Sequence, residues 1–153
     1  MKTFPHFVKG IDPVANAFAG TVYTDVFSMR NYKTALIQMY IGVGATGTST
    51  ITVEGCSTVG AAATTAVPFL YQQILTGDTA SALTQATTAG FTTTAGSSKF
   101  VNVWVDASDI GATGYEFVRG KFVEIAASAC LGGVTVMLLD PRFDEDIQPT
   151  AIV

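Results

Sequence analysis

Few side chains in this sequence are suited to acid-base, nucleophilic or metal chemistry, and their spacing keeps them apart. The single histidine, His6, lies between Pro5 and Phe7, with no serine or cysteine beside it in a nucleophile motif. An imidazole acts as a general base only when a nucleophile sits within hydrogen-bond reach, so His6 is expected to be a packed or surface residue. One histidine and two distant cysteines, Cys56 and Cys130, do not approach zinc-ligand spacings. Both cysteines stand in apolar, strand-like surroundings, unlike the dense, even patterns of disulfide-stapled domains. Two buried thiols are expected; a disulfide would need facing strands with Cα atoms about 5.5 Å apart.

The remaining candidates have structural readings. Asp106 and Asp109 are an imaginable carboxylate pair for glycoside hydrolysis, but their spacing fits the start of a helical turn, where a carboxylate satisfies free N–H groups. Asp144-Glu145-Asp146 lacks the glycine and the spaced oxygen ligands of a calcium loop and reads as a solvated charge run. Gly42-Val43-Gly44-Ala45-Thr46-Gly47 has the glycines of a phosphate loop, yet a strand-like run follows it instead of a lysine and a helix. A tight turn tolerating positive φ is the simpler reading. Tyr23, Tyr40, Tyr71, Trp104 and Tyr115 would stack on sugars if clustered, but alternation places most of them on strand faces, which favours core packing. No catalytic, cofactor or metal residue is therefore assigned.

Composition points the same way. Only 13% of the 153 residues are charged and 48% are hydrophobic, against roughly 25% charged in an average soluble domain. Between Lys33 and Lys99 the only charged side chains are Glu54 and Asp78. A formal net charge of −4 argues against nucleic-acid binding, which needs clustered Lys and Arg. No run of about 18 apolar residues offers a membrane span. Near the N-terminus, Ala15-Asn16-Ala17 and Ala17-Phe18-Ala19 faintly mimic a signal-peptidase site, but Lys9, Asp12 and Pro13 interrupt any apolar h-region, so no secretion signal is expected.

The elements that hold these residues read as strands. Residues 21–29, 34–42, 48–54 and 67–71 are β-branched, aromatic or alternating, and Pro68 marks a strand start or edge. Residues 76–98 are rich in Thr and Ala and read as loop with one short strand near 90–94; a helix over 79–89 is allowed by alanine content but lacks charged i,i+4 partners. Residues 99–105 are apolar on both faces and should be central. Residues 106–115 resemble a corner where a strand crosses between sheets, with the Tyr115 hydroxyl able to bond back to upstream backbone. In residues 115–126, Arg119 and Lys121 mark a face that meets water or a partner. A Gly132-Gly133 turn then precedes a buried strand at 134–139 that ends at Asp140-Pro141. About seven strands with Gly-rich turns describe an all-β antiparallel sandwich or jelly roll at 21–141, preceded by an extended arm at 1–20 and followed by a tail at 142–153.

Four stretches together resemble a family of small virion proteins of tailed bacteriophages: Asp25-Val26-Phe27-Ser28-Met29-Arg30-Asn31-Tyr32, Ile41-Gly42-Val43-Gly44-Ala45-Thr46-Gly47-Thr48, Gly114-Tyr115-Glu116-Phe117-Val118-Arg119 and Leu138-Leu139-Asp140-Pro141-Arg142-Phe143. The resemblance implies a capsid cement or decoration subunit, β-rich, homo-oligomeric and bound outside the major capsid protein lattice of the virion, which assembles in the bacterial host cytoplasm. Low charge suits that role, because uncharged side chains are cheaper to desolvate at a contact. Phe4, His6, Phe7 and Phe18 of the arm, and Arg142, Phe143, Ile147 and Ile152 of the tail, are the candidate assembly contacts. A head-to-tail joining or tail component is the structural alternative, and a carbohydrate-binding β-sandwich is the alternative from another class.

Overall fold

The computed structural model describes residues 4–43, 46–143 and 150–152. In chain order its elements are β1 (His6–Val14), β2 (Thr21–Tyr23), β3 (Phe27–Ser28), β4 (Tyr32–Ile41), β5 (Thr48–Cys56), β6 (Thr64–Val67), β7 (Phe69–Thr76), β8 (Thr79–Ala80), β9 (Thr84–Ala86), β10 (Phe91–Thr92), β11 (Lys99–Asp106), α1 (Ala107–Gly111), β12 (Phe117–Ala126) and β13 (Gly132–Pro141). All pair antiparallel in two sheets packed as a sandwich. The larger runs β1-β13-β4-β11-β7-β8, with β9 also on β7; the smaller runs β10-β5-β12-β2, with β3 on β12 and β6 on β5.

The expected sandwich is therefore present, built from about twice the expected number of strands. The difference lies in breaks that periodicity does not reveal. The run 21–29 splits into β2 and β3, which pair with different parts of β12. The run through Val67 splits at Pro68, where the chain leaves β5 in the small sheet and joins β11 in the large one. Proline suits such a crossing, since it has no N–H to leave unpaired.

Between the sheets lies one core, including Phe27, Ile37, Val53, Val103, Phe122 and Val136, each at most 1% exposed. The alternation of β5 holds, with Ser49, Ile51 and Val53 inward and Thr50 and Thr52 half-exposed. As expected, β11 is central, flanked by β4 and β7. The chain then crosses to the small sheet through α1, whose N-cap is Asp106: its Oδ1 accepts from the Ser108 N–H at 2.7 Å and the Ser108 hydroxyl at 2.6 Å. At the end of this corner the Tyr115 amide donates to Thr113 Oγ1 at 3.2 Å.

Several expectations are corrected. The 1–20 segment is more than an arm, because β1 is a full edge strand paired with β13. Residues 76–98 hold the short strand expected near 90–94, which is β10, but also β8 and β9 where loop was expected; the backbone doubles back at Gly77 (φ 58°), and Gln73 and Ser81 exchange hydrogen bonds. Gly132 and Gly133 lie within β13 rather than in a turn. A Cβ on Gly132 would sit 2.6 Å from both the Phe18 ring and the Tyr40 carbonyl oxygen, so close approach excludes a side chain there. The same cause operates at Gly42 and Gly47, whose missing Cβ positions face the carbonyls of Leu131 (3.0 Å) and Ala126 (2.9 Å). Gly44 and Ala45 of that turn lie outside the described residues.

Candidate functional site

Among the described residues, the contact residues expected from sequence gather, with one exception, at one corner of the sandwich. It is built where β1 begins, β13 ends and the chain enters β4. His6 opposes Leu138 in the β1–β13 ladder, and its ring lies 5.8 Å from that of Tyr32 at the start of β4. Phe4 and Pro5 continue beyond it to line a hollow with Leu139 and Pro141. After β13 the Arg142 amide donates to the Asn31 carbonyl at 2.7 Å, which brings Arg142 and Phe143 against Arg30 and Asn31. Returning to the same corner, residue Ala151 is buried and accepts from the Ser28 N–H at 2.8 Å, leaving Ile152 at the surface. Phe4 (73% exposed), Phe7 (64%) and Phe143 (61%) all stand in solvent, Phe7 on the opposite side of β1 from His6.

Phe18 is the exception and is corrected. Only 4% exposed, it packs against Phe122 at 5.7 Å and over Gly132, at the far end of β13, so it belongs to the core. Ile147 and the Asp144-Glu145-Asp146 run lie outside the described residues.

The aromatic residues expected in the core are mostly elsewhere. Tyr71 does pack on the core, stacked 3.7 Å from Phe91. Tyr23 (41% exposed) and Tyr40 (46%) stand on outer faces instead, because alternation tells which residues share a face but not which face is covered. Tyr40 and Phe100 lie 4.6 Å apart beside a groove of about 350 Å³ floored by Gly132 and Gly133.

Sequence reasoning missed an ionic cluster on the outer face of the small sheet. Register places Arg119 of β12 directly opposite Glu54 of β5. Glu54 Oε2 accepts from Arg119 Nε at 2.8 Å and lies 2.7 Å from its Nη2, while Lys121 Nζ is 3.5 Å from Oε1. The guanidinium also stacks 4.0 Å from the Tyr23 ring centre. The signal was available: Glu54, Arg119 and Lys121 each fall on the polar side of an alternating strand.

Two further groups are buried. Cys56 and Cys130 are free thiols, as expected, and burial raises the pKa of both, which keeps them protonated and unreactive. Lys99, on the inward side of β11, is 1% exposed and its Nζ has no hydrogen-bond partner among the described residues. Burial holds its pKa below the usual lysine value, while the nearby Cys130 acts in the opposite sense. Among the described residues no group of three or more His, Cys, Asp or Glu is placed to hold a metal ion, and no helix is long and apolar enough to cross a membrane. Comparison with protein-family models, curated proteins and solved structures finds no match.

Proposed function

We propose that this chain is a bacteriophage virion structural protein that binds the capsid lattice and stabilises it without catalysis, as a cement or decoration subunit. The observation that carries the reading is the corner where β1 begins and β13 ends, at which Phe4, Phe7, Arg142 and Phe143 are exposed, with His6 half-buried among them. Aromatic and arginine side chains are the groups enriched in protein contacts, because they bury much surface at low ordering cost. Its partners are the major capsid protein and copies of itself, and its location is the virion. The charge-poor stretch between Lys33 and Lys99 fits the same role: much of 58–65 and 75–85 is exposed Thr, Ala, Ser and Gly, which neighbours can cover at little desolvation cost.

The test adds the purified chain to phage particles that lack it and follows release of DNA on heating. Binding with a raised release temperature supports the reading, and no binding contradicts it. A joining or tail component, the structural alternative, would be present in tens of copies or fewer. The Tyr40–Phe100 groove favours a carbohydrate-binding module as a second reading; a glycan array without hits counts against that one.

A further inference from the structure

The large sheet carries apolar side chains on the side that faces away from the core as well as on the side that faces it. Residues paired across an antiparallel ladder share a face, so its outer side can be read as rows. One row runs Phe7, Met137, Leu36, Trp104 and Leu70 across β1, β13, β4, β11 and β7. Two residues along the strands, Thr135, Gln38, Asn102 and Gln72 form a row of amides and a hydroxyl, with the Gln38 amide donating to Asn102 Oδ1 at 3.0 Å. Two further along, Gly133, Tyr40, Phe100 and Ile74 make a second apolar row. No charged residue occupies these three rows on β13, β4, β11 or β7; at the sheet edge, Lys9 of β1 stands opposite Thr135 and pairs with Asp12 at 2.7 Å. Tyr40 is 46% exposed, Leu70 and Phe100 36% each, whereas an antiparallel sheet with one wet face ordinarily turns polar side chains outward.

We infer that a second copy of this chain packs on this face, sheet against sheet. The banding is complementary to itself. A two-fold axis lying between the faces along the amide row sets each apolar row on the partner's other apolar row, and amide on amide. An axis along the strands sets each row on its own copy. An identical chain therefore matches the pattern by symmetry, and two-fold contacts use one patch twice. The area is sufficient when the polar rim, where Lys9 of β1 and Asp106 of β11 lie, is counted with the three rows. Six strands at about 4.8 Å and seven residues, 34–40, at about 3.3 Å give roughly 670 Å² per copy. The pair then buries about 1,300 Å², within the range of about 1,200–2,000 Å² for specific, stable interfaces. The groove beside Tyr40 and Phe100, floored by glycine, offers a seat for a projecting side chain of the partner. This inference concerns the isolated chain and does not rest on its place in a virion.

Trp104 is the single tryptophan and lies within the first row, so it reports on the face without any substitution. Sedimentation equilibrium of the purified full chain over a micromolar range should show a dimer. On dilution, Trp104 emission should shift to the red with the same midpoint as dissociation. Leu70→Glu and Phe100→Glu, in different rows, should each weaken association about 100-fold or more, because an unpaired charge is buried at the contact, with the far-ultraviolet circular dichroism of the monomer retained. Should either variant fail to fold, the dilution of the native chain decides. A native chain that stays monomeric, an oligomer whose Trp104 emission ignores dilution, or folded Glu variants that associate like the native chain would each overturn the inference.

Discussion

Tyr40 on β4 and Phe100 on β11 stand directly opposite one another, ring centres 4.6 Å apart, on the face of the large sheet that points away from the core. Inward from the same strands, Met39 and Val101 are at most 1% exposed. These two central strands thus carry apolar side chains on both sides, and on the outer side Tyr40 and Phe100 remain 46% and 36% exposed.

Shortening the N-terminus should separate assembly from folding. Removing residues 1–5 deletes Phe4 while leaving β1 paired, so the melting temperature should change little and particle binding should weaken. Removing residues 1–14 strips β1 from β13 and bares a strand edge; its melting temperature should fall sharply. Calorimetry and co-sedimentation with particles check both, and normal particle binding after the shorter cut would remove Phe4 from the interface.

Glu54→Gln should destabilise the fold by about 2 kcal/mol, since it leaves the partly buried Arg119 and Lys121 without their carboxylate. Arg119→Met should cost similarly, and the double variant should cost less than the sum. Urea denaturation of the four proteins measures the coupling; simple additivity would contradict the proposed pairing.

Lys99→Met should stabilise the fold by about 1–3 kcal/mol, because it replaces a buried amine that has no hydrogen-bond partner among the described residues. The pH dependence has a definite sign. The folded pKa lies below the unfolded value, so between the two the unfolded chain holds more protons, and native stability rises with pH up to the ordinary lysine range. The advantage of Lys99→Met should therefore narrow from neutral towards alkaline pH. A gap independent of pH would contradict this.

Asp106→Ala should cost about 1 kcal/mol through loss of the N-cap, and Asp106→Asn less. The Ser108 hydroxyl and amide hold the Asp106 carboxyl below the usual carboxylate range. Its contribution is complete above the unfolded carboxylate pKa and is lost as pH falls through the lower folded value. Asp109 acts in the opposite sense, since burial first and the Asp106 charge second raise its pKa. Chemical denaturation of native and Asp106→Ala protein from neutral to acid pH should show their difference shrinking on acidification.

Strand content was legible because alternation and β-branched runs are local. The inward set of β5, the central place of β11 and the Asp106 cap could all be read from neighbouring residues. Pairing partners were not legible. Glu54 and Arg119 are 65 residues apart, and only the β5–β12 register brings them together. The same limit explains Phe18, whose aromatic character fits an exposed arm or a core equally well until Gly132 is seen to make room for it. The Gly132-Gly133 pair likewise looked like a turn because its true cause, the close approach of Phe18, Tyr40 and Pro13, comes from distant chain.

A cryo-EM map of the native phage particle tests the central claim most directly. The predicted map holds this β-sandwich on the capsid at a copy number approaching that of the lattice, with the Phe4–Phe143 corner against the major capsid protein. A particle without the chain, or with a few tens of copies confined to the head-tail junction, would contradict it.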